Sequence, residues 1–370
     1  MAYLDHNAGA PVRPPVAAAM MQALAVAGNP SSVHSAGRAA RALVEQARLR
    51  LASLLSVAPG SITFTSGGTE ANNLILHGLS ADTVILSELE HPSLRQVLPL
   101  AQMMHVLPSG IIDLSALEQR LSQSQGVVLV SLMAANNETG IVQPVAEAAE
   151  LCARHGAVLH CDMAQMVGRQ KVCLAETGIA FATVSAHKLG GPAGVGALIS
   201  LNPTLTLQPL LQGGGQERRL RAGTENVAGI VGFGMAAHLI EQDLVNGVPE
   251  RVRHMRDTME ERALAMVPAA QVVGQCMQRL CNTSCLILPG VPAQLQVMSL
   301  DLAGVAVSAG SACSSGKVME SPVLRAMGMG TGYADAAIRV SLGPETRQDE
   351  IDLFLSAWVD LARRKGLETA

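Results

Sequence analysis

Short apolar runs alternate with stretches of helical periodicity through the first two thirds of the chain, and this alternation restricts the fold more than any other feature. Candidate strands fall at 62–65, 84–87, 105–107, 127–132, 158–161, 181–185 and 195–201, with amphipathic stretches at 94–103, 114–121 and 145–155. Strands that alternate with helices form βαβ units, so the pattern predicts an α/β fold with a mostly parallel central sheet. Ligands in such sheets sit beyond the carboxyl ends of the strands. After Gly247-Val248-Pro249 the texture changes to a charged helical run at 250–266, several short strands and a closing helix near 350–365. That half reads as a smaller α+β domain. The segment Tyr3-Leu4-Asp5-His6-Asn7, followed by Pro11, Pro14 and Pro15, does not read as helical and is expected to pack across it. The expected boundaries are 13–248 for the large domain and 1–12 with 249–370 for the small one. Gly229, Gly232 and Gly234 resemble a dinucleotide loop but follow no strand; they lie in an apolar helical stretch at 226–240, where close helix packing is the better reading.

Composition narrows the classes. At 370 residues the chain has room for about two domains, and a 49% hydrophobic share supplies their cores. No apolar run reaches the roughly 18 residues that span a bilayer, and no basic stretch precedes an apolar one at the N-terminus. No membrane or secretory role is expected, and cytoplasmic residence follows. The charge of −4 and the isolated Arg218-Arg219-Leu220-Arg221 cluster, without aromatics around it, argue against nucleic acid as a partner. Seven cysteines, an odd number without a C-x-x-C pair, do not suit a disulfide framework or a zinc site. Cys152, Cys161, Cys173, Cys276, Cys281 and Cys285 are expected to be small buried hydrophobes. Aromatics make up only 2% of residues, against seventeen methionines, so a flat ring would be stacked by a histidine.

The chemistry gathers at the ends of the candidate strands. Ser185-Ala186-His187-Lys188-Leu189-Gly190-Gly191 closes the run Phe181-Ala182-Thr183-Val184. A desolvated lysine loses its proton more easily and becomes a nucleophile able to form a Schiff base with an aldehyde. One strand earlier, Asp162 and Gln165 follow Val158-Leu159-His160-Cys161. A carboxylate can hold a pyridine nitrogen protonated while an amide three residues on reaches the ring oxygen, the partner set for pyridoxal phosphate. Thr65-Ser66-Gly67-Gly68-Thr69 leads into a helix start and suits a phosphate, with Thr69 as a simple N-cap the plainer alternative. Ser185 and His187 can add to that cup. His91, in Glu90-His91-Pro92-Ser93, can cover a ring and relay protons, or be a turn histidine. Asn137, in Asn136-Asn137-Glu138-Thr139-Gly140, can reach both the ring oxygen and a substrate carboxylate, or belong to a turn. Arg339, inside Ala337-Ile338-Arg339-Val340-Ser341-Leu342, needs a partner: a substrate carboxylate, or an internal Asp or Glu. Cys313, in Ser308-Ala309-Gly310-Ser311-Ala312-Cys313-Ser314-Ser315-Gly316-Lys317, stands in a small polar segment and is the cysteine placed to react.

Together these segments resemble the cysteine desulfurases, pyridoxal phosphate enzymes of the class V aminotransferase group. The likeness runs from Leu4-Asp5-His6-Asn7 through Gly28-Asn29-Pro30-Ser31-Ser32-Val33-His34 to Arg339-Val340-Ser341-Leu342-Gly343. The form Gly310-Ser311-Ala312-Cys313-Ser314-Ser315 is similar to the longer-loop, housekeeping branch. The resemblance implies a PLP-dependent transferase fold, aspartate aminotransferase-like and of fold type I. It implies pyridoxal 5'-phosphate bound through Lys188, with Asp162 on the pyridinium nitrogen, Gln165 and Asn137 at the ring oxygen and His91 stacked on the ring. Gly68, Thr69, Ser185 and His187 would hold the phosphate. Thr224, in Arg221-Ala222-Gly223-Thr224, would reach the phosphate of the neighbouring subunit of a homodimer. Arg339, with Asn137, would bind the carboxylate of L-cysteine, and Cys313 would take the sulfur and pass it as a persulfide to an acceptor protein, for iron–sulfur cluster or thio-cofactor synthesis. A selenocysteine lyase or another class V activity is the alternative. No resident metal is implied; Cys313 is the candidate for a ligand shared with a scaffold's iron–sulfur cluster. Two positions depart from the family pattern: Gly9 stands where Thr is usual, and Ala193 where Lys is common after Gly-Pro.

Overall fold

The computed structural model describes residues 1–98, 101–310 and 320–370. Strand β1 (Ala2–Tyr3) leads to helices α1 (Pro14–Leu24) and α2 (Ser35–Leu55). Then β2 (Ile62–Thr65), α3 (Gly68–Gly78), β3 (Thr83–Ser87), α4 (Pro92–Arg95), β4 (Gln102–Met104), α5 (Leu114–Gln123), β5 (Val128–Met133), α6 (Val145–Arg154), β6 (Val158–Asp162), β7 (Phe181–Ser185) and β8 (Gly196–Ser200) alternate. These strands form a seven-stranded sheet in the order β2-β8-β7-β6-β5-β3-β4. Only β8 runs against its neighbours, and the pairings from β7 to β4 are all parallel. Strands β5, β6 and β7 are buried along their whole length, as a sheet covered on both faces requires.

Helix α7 (Val227–Val245) packs with α1 and α2 on one face, around Phe64, Phe233 and Leu51. On another side α3 covers Phe181, Leu129 and Leu198. The glycines of α7 serve this packing. A Cβ at Gly234 would fall 2.5 Å from Ala47 Cα of α2, and one at Gly232 would fall 2.8 Å from Met20 of α1.

Helix α8 (Val248–Met266) leads to β9 (Gln271–Val272), β10 (Thr283–Ile287), α9 (Ala293–Leu302), β11 (Val305–Ala306) and β12 (Ser308–Ala309). Short helices α10 (Pro322–Ala326) and α11 (Thr331–Ala334), β13 (Ala337–Ser341) and α12 (Gln348–Arg364) complete the chain. A second sheet, β12-β13-β10-β9, backs onto an apolar cluster built on Trp358, Phe354, Ile338 and Leu4. The N-terminal segment joins this part: β1 pairs with β11, and Asp5 bridges to Ser341.

Three expectations are corrected. The strand expected at 105–107 lies at Gln102–Met104, because those residues pair with β3, while Leu107 N closes a turn onto Ile111 O (2.8 Å). The helix expected at 94–103 is short, Pro92–Arg95, and the last residues of that stretch, Gln102 and Met103, belong to the strand. Cys276 is exposed in a surface turn and Cys173 is half-buried, so neither is a core hydrophobe; Cys152, Cys161, Cys281 and Cys285 are buried.

Candidate active site

Five strand ends converge. β2 runs parallel to β7 through the intervening β8, so the turns after β2, β3, β5, β6 and β7 open at one edge of the sheet. Asp162 is the last residue of β6 and is buried. Its Oδ1 accepts from Ala164 N (3.0 Å), and its Oδ2 accepts from Asn72 Nδ2 of α3 (2.9 Å). Asn72 also donates to Ser93 Oγ (2.9 Å), which hydrogen-bonds His91 Nδ1 (2.8 Å). Because Ser93 N also donates to that Nδ1 (3.2 Å), the ring proton sits on Nε2. A continuous chain thus runs from Asp162 to His91. Burial holds the His91 pKa below its usual value, with Asp162 raising it and the Lys188 charge lowering it further.

Two buried groups support Asp162. His160, two residues earlier, is held by Ser131 Oγ (2.8 Å) and Thr183 Oγ1 (3.0 Å), and burial pulls its pKa down to about 4, so it is neutral. Glu90 accepts from Met133 N, and burial with the nearby Asp162 charge pushes its pKa well up.

Lys188 ends the short 3-10 turn Ala186–Lys188 after β7. Its Nζ donates to the carbonyls of Asn7 (2.6 Å) and Ala8 (2.9 Å), which the N-terminal segment lays across the site. Gln165 Nε2 donates to the same Asn7 carbonyl (3.1 Å), while Gln165 Oε1 is buried with no partner. Burial first, then the nearby Lys188 and His91 groups, pull the pKa of His187 down to about 4; its Nδ1 shares a hydrogen bond with Ser185 Oγ (2.9 Å). Gly68 faces this pair: a Cβ there would lie 3.6 Å from Ser185 Cβ. The N-cap of α3 is Gly67, without a side-chain cap, so the first amides of the helix are left for another acceptor and Thr69 is not the cap.

Arg339 comes from β13. Its Nη2 pairs with Asp5 Oδ1 (2.8 Å), its Nη1 donates to Asn137 O (3.2 Å), and its Nε is buried without a partner. The internal acid that the sequence left open is therefore Asp5, and Arg339 still reaches the Asn137 turn. Thr224 is exposed. Cys313 and Lys317 lie outside the described residues. Asn7, Asn72, Ser93, His160, Glu90 and Asp5 had not been singled out as site residues. Asn72 alone had a legible signal, three residues after Thr69 and so one helical turn along α3.

The family model for "Aminotransferase class-V" matches residues 2–354. A cysteine desulfurase of Cereibacter sphaeroides is 43% identical over 371 residues, covering 95% of this chain and 93% of that protein. An IscS-like cysteine desulfurase of Mycobacterium tuberculosis is 36% identical, covering 100% and 99%. Among solved structures, a NifS-like protein from Rickettsia africae superposes with a TM-score of 0.92 at 34% identity, covering 98% of this chain and 99% of the other. SspA, solved in complex with cysteine, gives 0.78 at 25% identity, covering 94% and 100%. The seven-stranded sheet with its lysine turn is thus the fold type I architecture of PLP-dependent transferases. With a match along nearly its whole length and cysteine desulfurases at 36–43% identity as relatives, the chain belongs to the class V aminotransferase family, among the cysteine desulfurases.

Proposed function

We propose that this chain converts L-cysteine to L-alanine and delivers the sulfur, by way of Cys313, to an acceptor. The observation that carries the reading is the set of groups at the sheet edge: a lysine amine, a buried carboxylate with its own relay to a histidine, and an arginine at the Asn137 turn. Pyridoxal 5'-phosphate fits these residues. The open N-terminus of α3 with Ser185 and His187 suits its phosphate, Asp162 its ring nitrogen, and the buried Gln165 side-chain oxygen, without a partner while its Nε2 is held by Asn7 O, marks a polar contact that the protein itself does not fill. When bound, the cofactor supplies an electron sink that makes the Cα proton and the Cβ–S bond of cysteine labile.

The chain's own residues do the rest. Lys188 holds the cofactor and moves the proton at Cα. Asp162 fixes the ring charge, His91 covers the ring, and Arg339 with Asn137 orients the substrate carboxylate. Cys313 attacks the substrate sulfur: an S–S bond forms, the Cβ–S bond breaks, and the protons of the two thiols and of Cα are redistributed to leave a cysteine persulfide and alanine. Thr224, exposed beyond the site, is assigned to the cofactor phosphate of a second subunit, which makes the active form a homodimer. The acceptor is a protein of iron–sulfur or thio-cofactor synthesis, and the setting is cytoplasmic; no helix among the described residues is long and apolar enough to cross a membrane. The apolar clusters around Phe233 and around Trp358 support a division at 13–248 against 1–12 with 249–370, with another cluster of Leu89, Met133, Ile141, Val273 and Ile287 at the joint.

Mass spectrometry of the holoenzyme after cysteine treatment is expected to place one added sulfur on Cys313 and on none of the six other cysteines. Cys313→Ser should keep the cofactor's absorbance and lose alanine formation, because a hydroxyl is a poor nucleophile toward sulfur. Full desulfurase activity in that variant, or sulfur on Cys285 or Cys161, would sink the assignment.

A further inference from the structure

A cavity of about 250 Å³ lies between the N-terminal segment, α7 and the start of α12. Lys188 touches it, but Asp162, His91 and Gln165 do not line it, so it adjoins the site described above without coinciding with it. We propose that it binds a small organic carboxylate, with Arg169 and His6 as the recognising groups.

Arg169 is 8% exposed. Its Nη1 donates to Lys188 O (2.8 Å) and Val167 O (3.3 Å), and among the described residues it makes no ion pair. A guanidinium carries five donors in a fork that matches a carboxylate, and here Nε and Nη2 have no acceptor among the described residues. Burying a cation without a counter-charge is unfavourable, and burial accordingly draws the Arg169 pKa down to about 10. His6 lines the same end of the cavity, also 8% exposed, and its Nδ1 is buried without a partner. Its ring lies against Gly343, where a Cβ would fall 1.9 Å from Cε1, so the glycine after β13 makes room for it. Burial and the Arg169 charge hold His6 neutral, so it can donate one hydrogen bond without adding a second charge.

The acids around the cavity do not cancel this. Asp243 is taken by Arg13 (2.6 Å), Glu350 caps α12 by accepting from Arg347 N (2.9 Å), and Glu345 is exposed. The inner end is therefore cationic, while Leu189, Ile240 and Val252 supply an apolar wall. That pairing selects an anion with an apolar body. Because the same guanidinium holds the Lys188 carbonyl, an occupant bears directly on the turn that carries the reactive lysine.

The probe is benzoate, with benzamide as its uncharged counterpart and 4-bromobenzoate for crystallography. Calorimetry on the holoenzyme should show saturable benzoate binding, weakened roughly tenfold or more for benzamide and for Arg169→Met. Crystals of the wild-type holoenzyme soaked in 4-bromobenzoate should carry anomalous bromine density in this cavity, with the carboxylate on Arg169; this readout does not depend on the variant folding. Bromine density only beside Arg339, density nowhere, or benzoate binding unchanged in a folded Arg169→Met would overturn the proposal. The desulfurase reading stands or falls separately, on the sulfur carried by Cys313.

Discussion

Arg339 is bound on one side by the carboxylate of Asp5 and on the other by the carbonyl of Asn137, and its Nε is left over. A substrate carboxylate arriving at that turn must share the guanidinium with Asp5. Removing the arginine should therefore raise the KM for cysteine, by a factor corresponding to about 2–5 kcal/mol for a buried charge-assisted pair. Asp5→Asn should act in the opposite direction and lower KM a few-fold, because it frees the fork without removing it. Steady-state kinetics on both variants would decide the matter, and an unchanged KM in Arg339→Ala would leave the ion pair as the whole role of the residue. Lys188, Asp162 and Arg339 were legible because each is a charge set in or at the end of an apolar run, where only a specific partner makes it tolerable. Asp5 and Asn7 were not, since their partners come from 334 and 181 positions away. No local pattern reports a contact of that range.

Helix α7 shows what periodicity gives and withholds at the scale of the element. Its apolar character and its glycines pointed to close packing, and α2 and α1 are the helices it meets. Those two helices had not been read from the sequence. Pro14 and Pro15 looked like breakers, yet they occupy the first turn of α1, where the missing N–H groups cost nothing. At Gly234 two effects oppose each other. Alanine is favoured over glycine in a helix by about 1 kcal/mol. Its Cβ would nonetheless fall 2.5 Å from Ala47 Cα and 2.6 Å from Ala47 Cβ, contacts with backbone and a side chain that cannot swing away. Steric crowding should win, and Gly234→Ala is expected to lose about 1–3 kcal/mol in urea unfolding. A variant more stable than the parent would mean that α7 and α2 do not approach as closely as described.

Across the whole molecule, the turn after β5 joins the central sheet to the part built on β10 and β13. Asn136 Oδ1 accepts from Glu138 N (2.9 Å) and Thr139 N (3.0 Å), which shapes the turn. From it, Asn137 O takes Arg339, Gly140 O takes Leu280 N (2.8 Å), and Val142 N donates to Gln278 O (2.9 Å). Glu138 is buried at this joint, where Oε2 accepts from Ser321 Oγ and a Cβ at Gly310 would lie 2.9 Å from that oxygen. Burial pushes its pKa up to about 7, against the Ser321 hydrogen bond and the charges of Arg339 and Arg95, which lower it. The folded protein therefore holds a proton that the unfolded chain, titrating near 4.5, has released. Between those two values the native state binds more protons, so the Glu138 contribution to stability falls as pH rises through the window and is constant above it. Buried His160 acts with the opposite sign: its folded value of about 4 lies below the ordinary 6.5, so stability is lost as pH falls through that interval. Glu138→Gln keeps the acceptor for Ser321 without the titration. The stability of the variant relative to the parent should therefore grow from pH 4.5 to pH 7, by on the order of 3 kcal/mol, and then level off. Urea unfolding at a series of pH values measures the difference directly. A constant offset between the two proteins across that range would mean that Glu138 does not carry the proton at the joint.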